Sequence, residues 1–596
     1  MLAMCAKVIN KNELKKSLNI PGLPGKLVAA MGMKIAGLDK LNELYTRLAD
    51  YQGIEFADKL LENLEITLDV NTSALELLPK EGGVVLTANH PFGGLDGMAA
   101  LSILGKIRPD IKILTNFILS KIPNVADYFI PVNTTYGFGK FTAPTISGLR
   151  QAEEHLQKGG ALLIFPAGEV SSWNTRGKVV ADSDWITYIC RQIRRSKCPV
   201  MPLYFHGNNS KYFQWLSRIS NKLSDLRFTG EMFDKKGKEI KVRIGSLIQH
   251  AELDKFPEDR LVAKFLRSRS YMLEADTIER DESVYTNRLG EFVPTEVLLK
   301  ELEENKDAHM FDVGTLSCYL FDYNRIPNMM REIAVRREEA FRAVGEGTNT
   351  SADTDPYDVY YKHLVLWDNV TKDLVGAYRL GLGADILREK GIHGFYADTL
   401  FRYSDKFAPV LEKCVELGRS FVCVSHQKDT LALMLLLKGL FYTLMKYPEY
   451  KYLIGPVSIS SWYPMLYRSI MIHYLRQNHR NPLYDGMTSP KTPFAPDFGR
   501  VDPDALLFGR TGNLEAFDRY LMRISGGQYR LPPLLKKYIK MGSKIIDYNV
   551  DPDFNYCVDG LIMLALEDIP TDDLDSLSRE FDVREPIYRR FYGSDF

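Results

Sequence analysis

Short apolar runs ending on polar or glycine-containing turns alternate twice with helical stretches, and this alternation narrows the possible folds more than any other feature. In the first half the runs are GGVVLTANH (82–90), IRPDIKILTNF (107–117), ALLIFPAGE (161–169) and PVMPLYFHG (199–207), with KEIKVRIGSLI (238–248) as the last. Thr145–Gln157 and Asp184–Arg195 read as helices between them. Residues 281–307 are polar and irregular, and a second alternation follows. It comprises YYKHLVLWD, LVGAYRLGLG, SFVCVS and YLIGPVSIS, with helices at Ile326–Val344 and Thr430–Tyr447. Strand–helix alternation of this kind predicts layered α/β structure. The expected organisation is an amphipathic helical segment over 1–60, then two α/β domains over 61–290 and 291–596. Residues 480–512 carry five prolines and read as a long loop, expected to be a lid, a binding loop or disordered.

Composition limits the function classes. The 596 residues are 45% hydrophobic and 26% charged, as in soluble globular chains. Lys+Arg and Asp+Glu both number 76, so no global basic field draws the chain to nucleic acid. Seven scattered cysteines, with no CxxC pair, form no disulfide framework and suit a reducing cytoplasm. The N-terminus lacks the apolar core of a signal peptide. The longest uncharged stretch, near Tyr452–Tyr467, contains Gly455 and Pro456 and makes a poor membrane span. Residues 1–50 hold eight basic side chains against four acidic ones. Leu41, Leu44, Tyr45 and Leu48 recur there at helical spacing. Such a segment can rest on an anionic lipid surface, or pack on its own domain. Peripheral attachment to the inner face of the cytoplasmic membrane is the expectation.

The first chemical constellation is TANHPFGGLDG, where Asn89, His90 and Asp96 end a strand. A histidine beside a carboxylate is a base with an orienting group, able to take a proton from a hydroxyl. The alternative is a loop histidine next to a helix-starting acid. FPAGEVS (165–171), with Gly168, Glu169 and Ser171, and VMPLYFHG (200–207) end two further strands. Open α/β sheets place their sites at such strand ends.

These three segments resemble blocks of the glycerolipid (lysophospholipid) acyltransferase family over roughly residues 60–260. The resemblance implies that His90 is the general base on an acceptor hydroxyl, oriented by Asp96. It implies an acyl thioester donor, with Asn89, Gly168, Glu169 and Ser171 near the substrate. Three departures stand out. Five residues, not four, separate His90 from Asp96, an excess the Gly93–Gly94 pair can absorb. The third block lacks its usual arginine, and so does the second-block equivalent YFIPVNTTYG (128–137). Those arginines are expected to grip an acceptor's phosphate, so a hydroxylated lipid without that phosphate is inferred.

The second constellation is Glu416-Leu417-Gly418-Arg419-Ser420, read as preceding a strand. Taken alone, Glu416 and Arg419 are an ordinary ion pair. Their order after an arginine-rich helix (Arg337, Arg342), an acidic loop (355–368) and GAYRL with Arg379 resembles the ornithine N-acyltransferases, often called hemolysin-like. These are relatives of acyl-homoserine-lactone synthases on a GNAT-type fold, and the likeness covers about residues 315–565. The resemblance implies transfer of a 3-hydroxyacyl group to an amino acid's α-amine, with Glu416 positioning or deprotonating the amine. It makes Arg337, Arg342 and Arg419 candidates for the donor's phosphopantetheine or carrier protein, and Arg379 for the acceptor's carboxylate. SHQKDTLAL (425–433) has no glycine for a pyrophosphate loop, which favours acyl carrier protein over coenzyme A as donor. His363, at a strand start, is expected to pack.

Together the halves resemble the bifunctional ornithine-lipid synthases. N-acylation with a 3-hydroxyacyl group creates the hydroxyl that the first half esterifies, giving a phosphate-free aminolipid from ornithine or glycine. No bound cofactor is expected; acyl-ACP or acyl-CoA is a substrate. Two alternatives are a lysophospholipid acyltransferase with a non-catalytic carrier-binding second half, and a membrane-lytic protein, which needs a spanning segment or barrel.

Overall fold

A computed structural model describes residues 38–116, 122–132, 143–174, 178–219, 227–275, 282–427, 430–510, 512–579 and 585–593. The chain forms two compact units, each built on one sheet. The first unit runs to Asp276 and also includes Phe498–Arg510 and Arg519–Gln528. The second comprises Thr277–Asp497, Thr511–Asp518 and Tyr529–Phe596.

The first sheet has seven strands: β1 (Thr67–Val70), β2 (Val84–Ala88), β3 (Lys112–Asn116), β4 (Phe129–Val132), β5 (Ala161–Ile164), β8 (Val200–Phe205) and β9 (Glu239–Ile244). A separate hairpin, β6 (Ser172–Asn174) and β7 (Val179–Ala181), follows β5. The sheet order is β1-β9-β8-β2-β5-β3-β4, parallel except where β9 meets β8. β2, β5 and β8 are buried at every residue, as parallel strands covered on both faces must be. Helix Gly94–Leu104 packs into the same core through Leu95, Met98, Leu101 and Leu104. In helix Leu38–Leu48 the apolar stripe turns inward, with Leu44 and Leu48 buried. That stripe therefore packs on its own unit. The basic residues expected at the membrane lie mostly before residue 38, outside the described residues.

The second sheet has eight strands: β10 (His309–Val313), β11 (Leu316–Asp322), β12 (Lys362–Asp368), β13 (Asp373–Leu382), β15 (Cys414–Val422), β16 (Tyr452–Ile459), β18 (Lys544–Asp551) and β19 (Cys557–Ala565). Their order is β10-β11-β12-β13-β15-β16-β19-β18. All pairs are antiparallel except β15 with β16. That parallel pair is in register only from Cys414–Glu416 to Tyr452–Ile454 and then parts. Helix Pro327–Arg342 covers one face with Met329, Met330 and Ile333 against Val365 and Trp367.

Two expectations are corrected. The segment from Glu416 to Val422 does not precede a strand; it lies within β15, because Val415 and Leu417 join the buried sheet. The proline-rich 480–512 segment carries short elements instead of forming one long loop. Tyr484 enters the core, and β17 (Thr488–Pro490) pairs with β14 (Phe401–Tyr403). Pro482 and Pro503 each open a helical turn, where a missing N–H costs nothing.

Candidate active sites

In the first unit, the chain leaves β2 at Asn89 and turns through Pro91–Gly93 into helix Gly94–Leu104. Gly93 has φ 82, a left-handed conformation suited to glycine, so the helix begins at Gly94 and Asp96 falls in its first turn. This absorbs the extra residue between His90 and Asp96. Asp96 Oδ2 lies 2.9 Å from His90 Nδ1 and accepts the N–H groups of Phe92 (2.9 Å) and Gly93 (3.1 Å). One carboxylate thus closes the turn, caps the helix and orients the ring. Its side chain is fully buried, whereas that of His90 is 18% exposed. Burial pushes the Asp96 carboxyl up, opposed by His90 and the two backbone donors. With Nδ1 turned to Asp96, Nε2 is the nitrogen left for a substrate proton. The imidazole stacks on Phe165, centroids 4.2 Å apart.

Asn89 faces the neighbouring strand. Its amide donates to Phe205 O (2.9 Å) and accepts from Phe205 N (2.7 Å), tying the ends of β2 and β8 together. Gly168, at φ 71, closes a turn by donating to Phe165 O, and Glu169 is exposed. Ser171 N donates to His90 O, and its hydroxyl donates to Asp182 Oδ1 at 2.5 Å. Sequence reasoning missed Asp182. This buried carboxylate also accepts from His90 N (3.1 Å) and Trp185 Nε1 (3.0 Å), bracing the histidine turn from behind. No motif marks it; its role comes from contacts about ninety residues apart in sequence.

In the second unit, buried Glu416 accepts at both oxygens. Oε1 takes Ala397 N (2.8 Å), and Oε2 takes Tyr396 N (3.0 Å) and the Tyr361 hydroxyl. Burial pushes its carboxyl up against these donors. A bulge between β13 and β15 puts Arg419 in the left-handed region at φ 50. From there it reaches Asp353 (3.0 Å), Asp355 (3.1 Å) and the Tyr396 hydroxyl (2.9 Å). Arg337 is buried against Asp353 (2.8 Å) and Asp358 (2.9 Å). Burial alone would raise the Asp358 carboxyl, but Arg337 and then Arg379 hold it well below the usual carboxylate range. Arg342 is spent on Glu338, Asn287 O and Thr350 O. Arg379 pairs with Asp355 and Asp358 inside a ring of Tyr357, Tyr361 and Tyr396. Its Nε and Nη2 have no hydrogen-bond partner among the described residues. Gly418 faces that edge: a Cβ there would stand 3.8–3.9 Å from both atoms. His363 packs, with Nε2 2.8 Å from Asp358 O and burial holding its pKa down to about 4.

A further acidic group also escaped sequence reasoning. Glu346 accepts from the Ser458 hydroxyl of β16 (2.7 Å), and Asp559 sits opposite Ser458 on β19. Burial pushes the Glu346 carboxyl up to about 7, with Asp551 adding like charge. Burial, Asp551 and Glu346 together hold Asp559 well above its ordinary range. Because the folded chain favours protonated Glu346, folding stability falls as pH rises from the ordinary carboxylate range through about 7. Glu346→Gln is therefore expected to raise the melting temperature by roughly 2 °C or more at pH 8, and to change it little at pH 5. Equal shifts at both pH values would contradict this.

The acyltransferase family profile matches residues 23–279, and the acetyltransferase (GNAT) domain profile matches 336–437. A glycine N(alpha)-acyltransferase of Bacteroides thetaiotaomicron is 30% identical over 297 residues, covering 47% of this chain and 86% of that protein. A lyso-glycine lipid O-acyltransferase of the same organism is 28% identical over 275 residues, covering 45% of this chain and 96% of that protein. Among solved structures, the AHL synthase LasI aligns with TM-score 0.18 and 12% identity over 24% of this chain and 74% of that one. The chain is an acyltransferase with an N-terminal acyltransferase domain and a C-terminal GNAT domain. It belongs to the family of that glycine N(alpha)-acyltransferase.

Proposed function

We propose that this chain makes a two-chain, phosphate-free aminolipid by acylating an amino acid twice. The GNAT unit transfers a 3-hydroxyacyl group to the α-amine, and the first unit esterifies the new hydroxyl. In the first step the neutral amine attacks the thioester carbon, the C–S bond breaks, and the proton lost by nitrogen passes to the departing thiolate, which leaves as the thiol. In the second, His90 Nε2 takes the hydroxyl proton as oxygen attacks a second thioester, and returns it to the departing thiolate. The observation that carries this reading is one chain resembling separate relatives named for N-acylation of glycine and for O-acylation of a lyso-glycine lipid. Those names favour glycine over ornithine. The unpaired edge of Arg379 beside Gly418 suits the acceptor's single carboxylate. Glu416 orders the turn at Tyr396–Ala397 around that guanidinium. The donor is acyl carrier protein, for which the glycine-free segment after β15 speaks. Lipids from a host expressing the gene, resolved by mass, should contain both N-acyl and N,O-diacyl glycine. Acylated lysophospholipid without either product would overturn the reading.

A peripheral membrane position goes with these substrates. Among the described residues no helix is long and apolar enough to cross a membrane. Helix Lys211–Ile219 presents Lys211, Tyr212, Trp215 and Arg218 on one exposed face, with Tyr212 47% and Trp215 54% accessible. Aromatic and basic side chains together suit the interface of an anionic bilayer. Trp215→Ala should weaken co-sedimentation with phosphatidylglycerol-containing vesicles roughly tenfold. Unchanged binding would remove this face from the membrane contact.

A further inference from the structure

The acyltransferase motifs explain the base but not how an acceptor without phosphate is held. Gly207, just after β8, lies at φ 117 against Phe92, where a Cβ would come within 2.7 Å of the ring. Phe92 belongs to the His90–Asp96 turn, so the loop from His206 to Ser210 borders the dyad. Over the same ring, 4.8 Å from its centroid, stands the ammonium of Lys235, which donates to Asn208 O at 2.6 Å. An ammonium has three donors, so two remain. The two carboxylates of the preceding helix are already used: Glu231 accepts the N–H and hydroxyl of Ser210 and faces Arg227, and Asp234 pairs with Arg227 at 2.9 Å. Lys235 makes no ion pair among the described residues.

Two buried amides lie in the same stretch. Asn209, 5% exposed, and Gln214, 7% exposed, have neither side-chain oxygen nor nitrogen hydrogen-bonded among the described residues. Ser210 caps the helix carrying Gln214, its hydroxyl accepting from Phe213 N and its carbonyl from Gln214 N. Gln214 therefore sits one turn from Asn209. Native proteins rarely leave a buried amide unpaired, and two in the stretch whose Asn208 carbonyl holds a half-buried cation mark a place suited to a polar partner.

We propose that Lys235, Asn209 and Gln214 form a head-group subsite that recognises the carboxylate and amide of an N-acyl amino acid during O-acylation. This rests on the function proposed above. One ammonium matches one carboxylate, and the side-chain amides match the acceptor's peptide-like N–H and C=O. A phosphate monoester, with up to two negative charges and only acceptor oxygens, would meet one cation and leave the two side-chain amide oxygens without a donor.

The test uses the full chain with an acyl thioester donor and two acceptors, N-(3-hydroxyacyl)glycine and its methyl ester. Wild type should prefer the free acid. Lys235→Ala should lower the acid-over-ester preference in kcat/KM roughly tenfold, mainly through KM for the acid. Lys235→Arg should keep most of it. Asn209→Ala should reduce turnover of both acceptors, since both carry the amide. An unchanged preference in Lys235→Ala, or equal losses on acid and ester, would overturn the subsite and leave the function standing. If wild type acylates neither compound, the function reading falls and the subsite with it.

Discussion

Cells carrying His90→Ala are expected to accumulate the monoacylated amino acid with a free 3-hydroxyl and to make little diacyl product. A hydroxyl, with a pKa far above 7, attacks a thioester poorly unless a base takes its proton, and losing such a base costs about 10²–10⁴ in rate. His90 is set for this work by Asp96, whose one oxygen holds both the ring nitrogen and the turn behind it. Asp96→Asn should act in the same direction but less severely, because the ring keeps its stacking on Phe165. Amine acylation, carried by the other unit, continues in both variants. Lipids separated by mass give the readout, in a host without another O-acyltransferase. Undiminished diacyl product in His90→Ala cells would remove the histidine from the chemistry. Loss of both products would show that the variant harms the whole chain.

Glu416→Gln is expected to deplete the monoacyl intermediate and therefore the diacyl product as well. The carboxylate accepts from two backbone N–H groups and a tyrosine hydroxyl. An amide offers only one oxygen, and its NH2 must then confront a donor. An unsatisfied buried donor costs about 1–3 kcal/mol, here at the turn that sets Tyr396 against Arg379 and Arg419. Amine acylation should fall by roughly 10- to 100-fold, the scale on which about 1–3 kcal/mol at that turn slows a step. A normal rate of amine acylation would exclude Glu416 from the mechanism. Thermal melting beside the rate separates unfolding from a local defect, since the wild-type melting profile with lost activity assigns the loss to the site.

Much of the fold is legible in the sequence because it depends on local pattern. VVLTA, ALLI and VMPLYF are uninterrupted apolar runs, and each is a fully buried strand. The His90–Asp96 pair is legible because a single turn joins its members. The sequence singles out Glu416 but sets it before its strand, since ELGRS reads as polar while its glutamate is buried with partners on other segments. Arg337 and Arg379 are legible as cations and 355–368 as an acidic loop, but which arginine meets Asp353, Asp355 or Asp358, across 16 to 24 residues, is not. Asp182 and Glu346 carried no signal, since each gains its surroundings only when distant strands meet. A left-handed arginine in a strand, as at Arg419, follows from bulge geometry that no periodicity records.

The first unit is not one continuous stretch of chain. Phe508 stacks on Phe256 at 5.1 Å, Arg510 and Arg523 both pair with Glu252, and Asp502 meets Lys264 at 2.8 Å. Glu252, nearly buried, is held below its ordinary range by Arg510, Arg269 and Arg523 against the effect of burial. A gene divided at the apparent linker near residue 290 would thus encode an acyltransferase unit missing two of those three cations, both contributed from beyond residue 500. A first unit that stands alone requires that this patch be rebuilt. In this polypeptide, loss of the C-terminal coding sequence removes the GNAT domain and also undermines the fold of the acyltransferase unit.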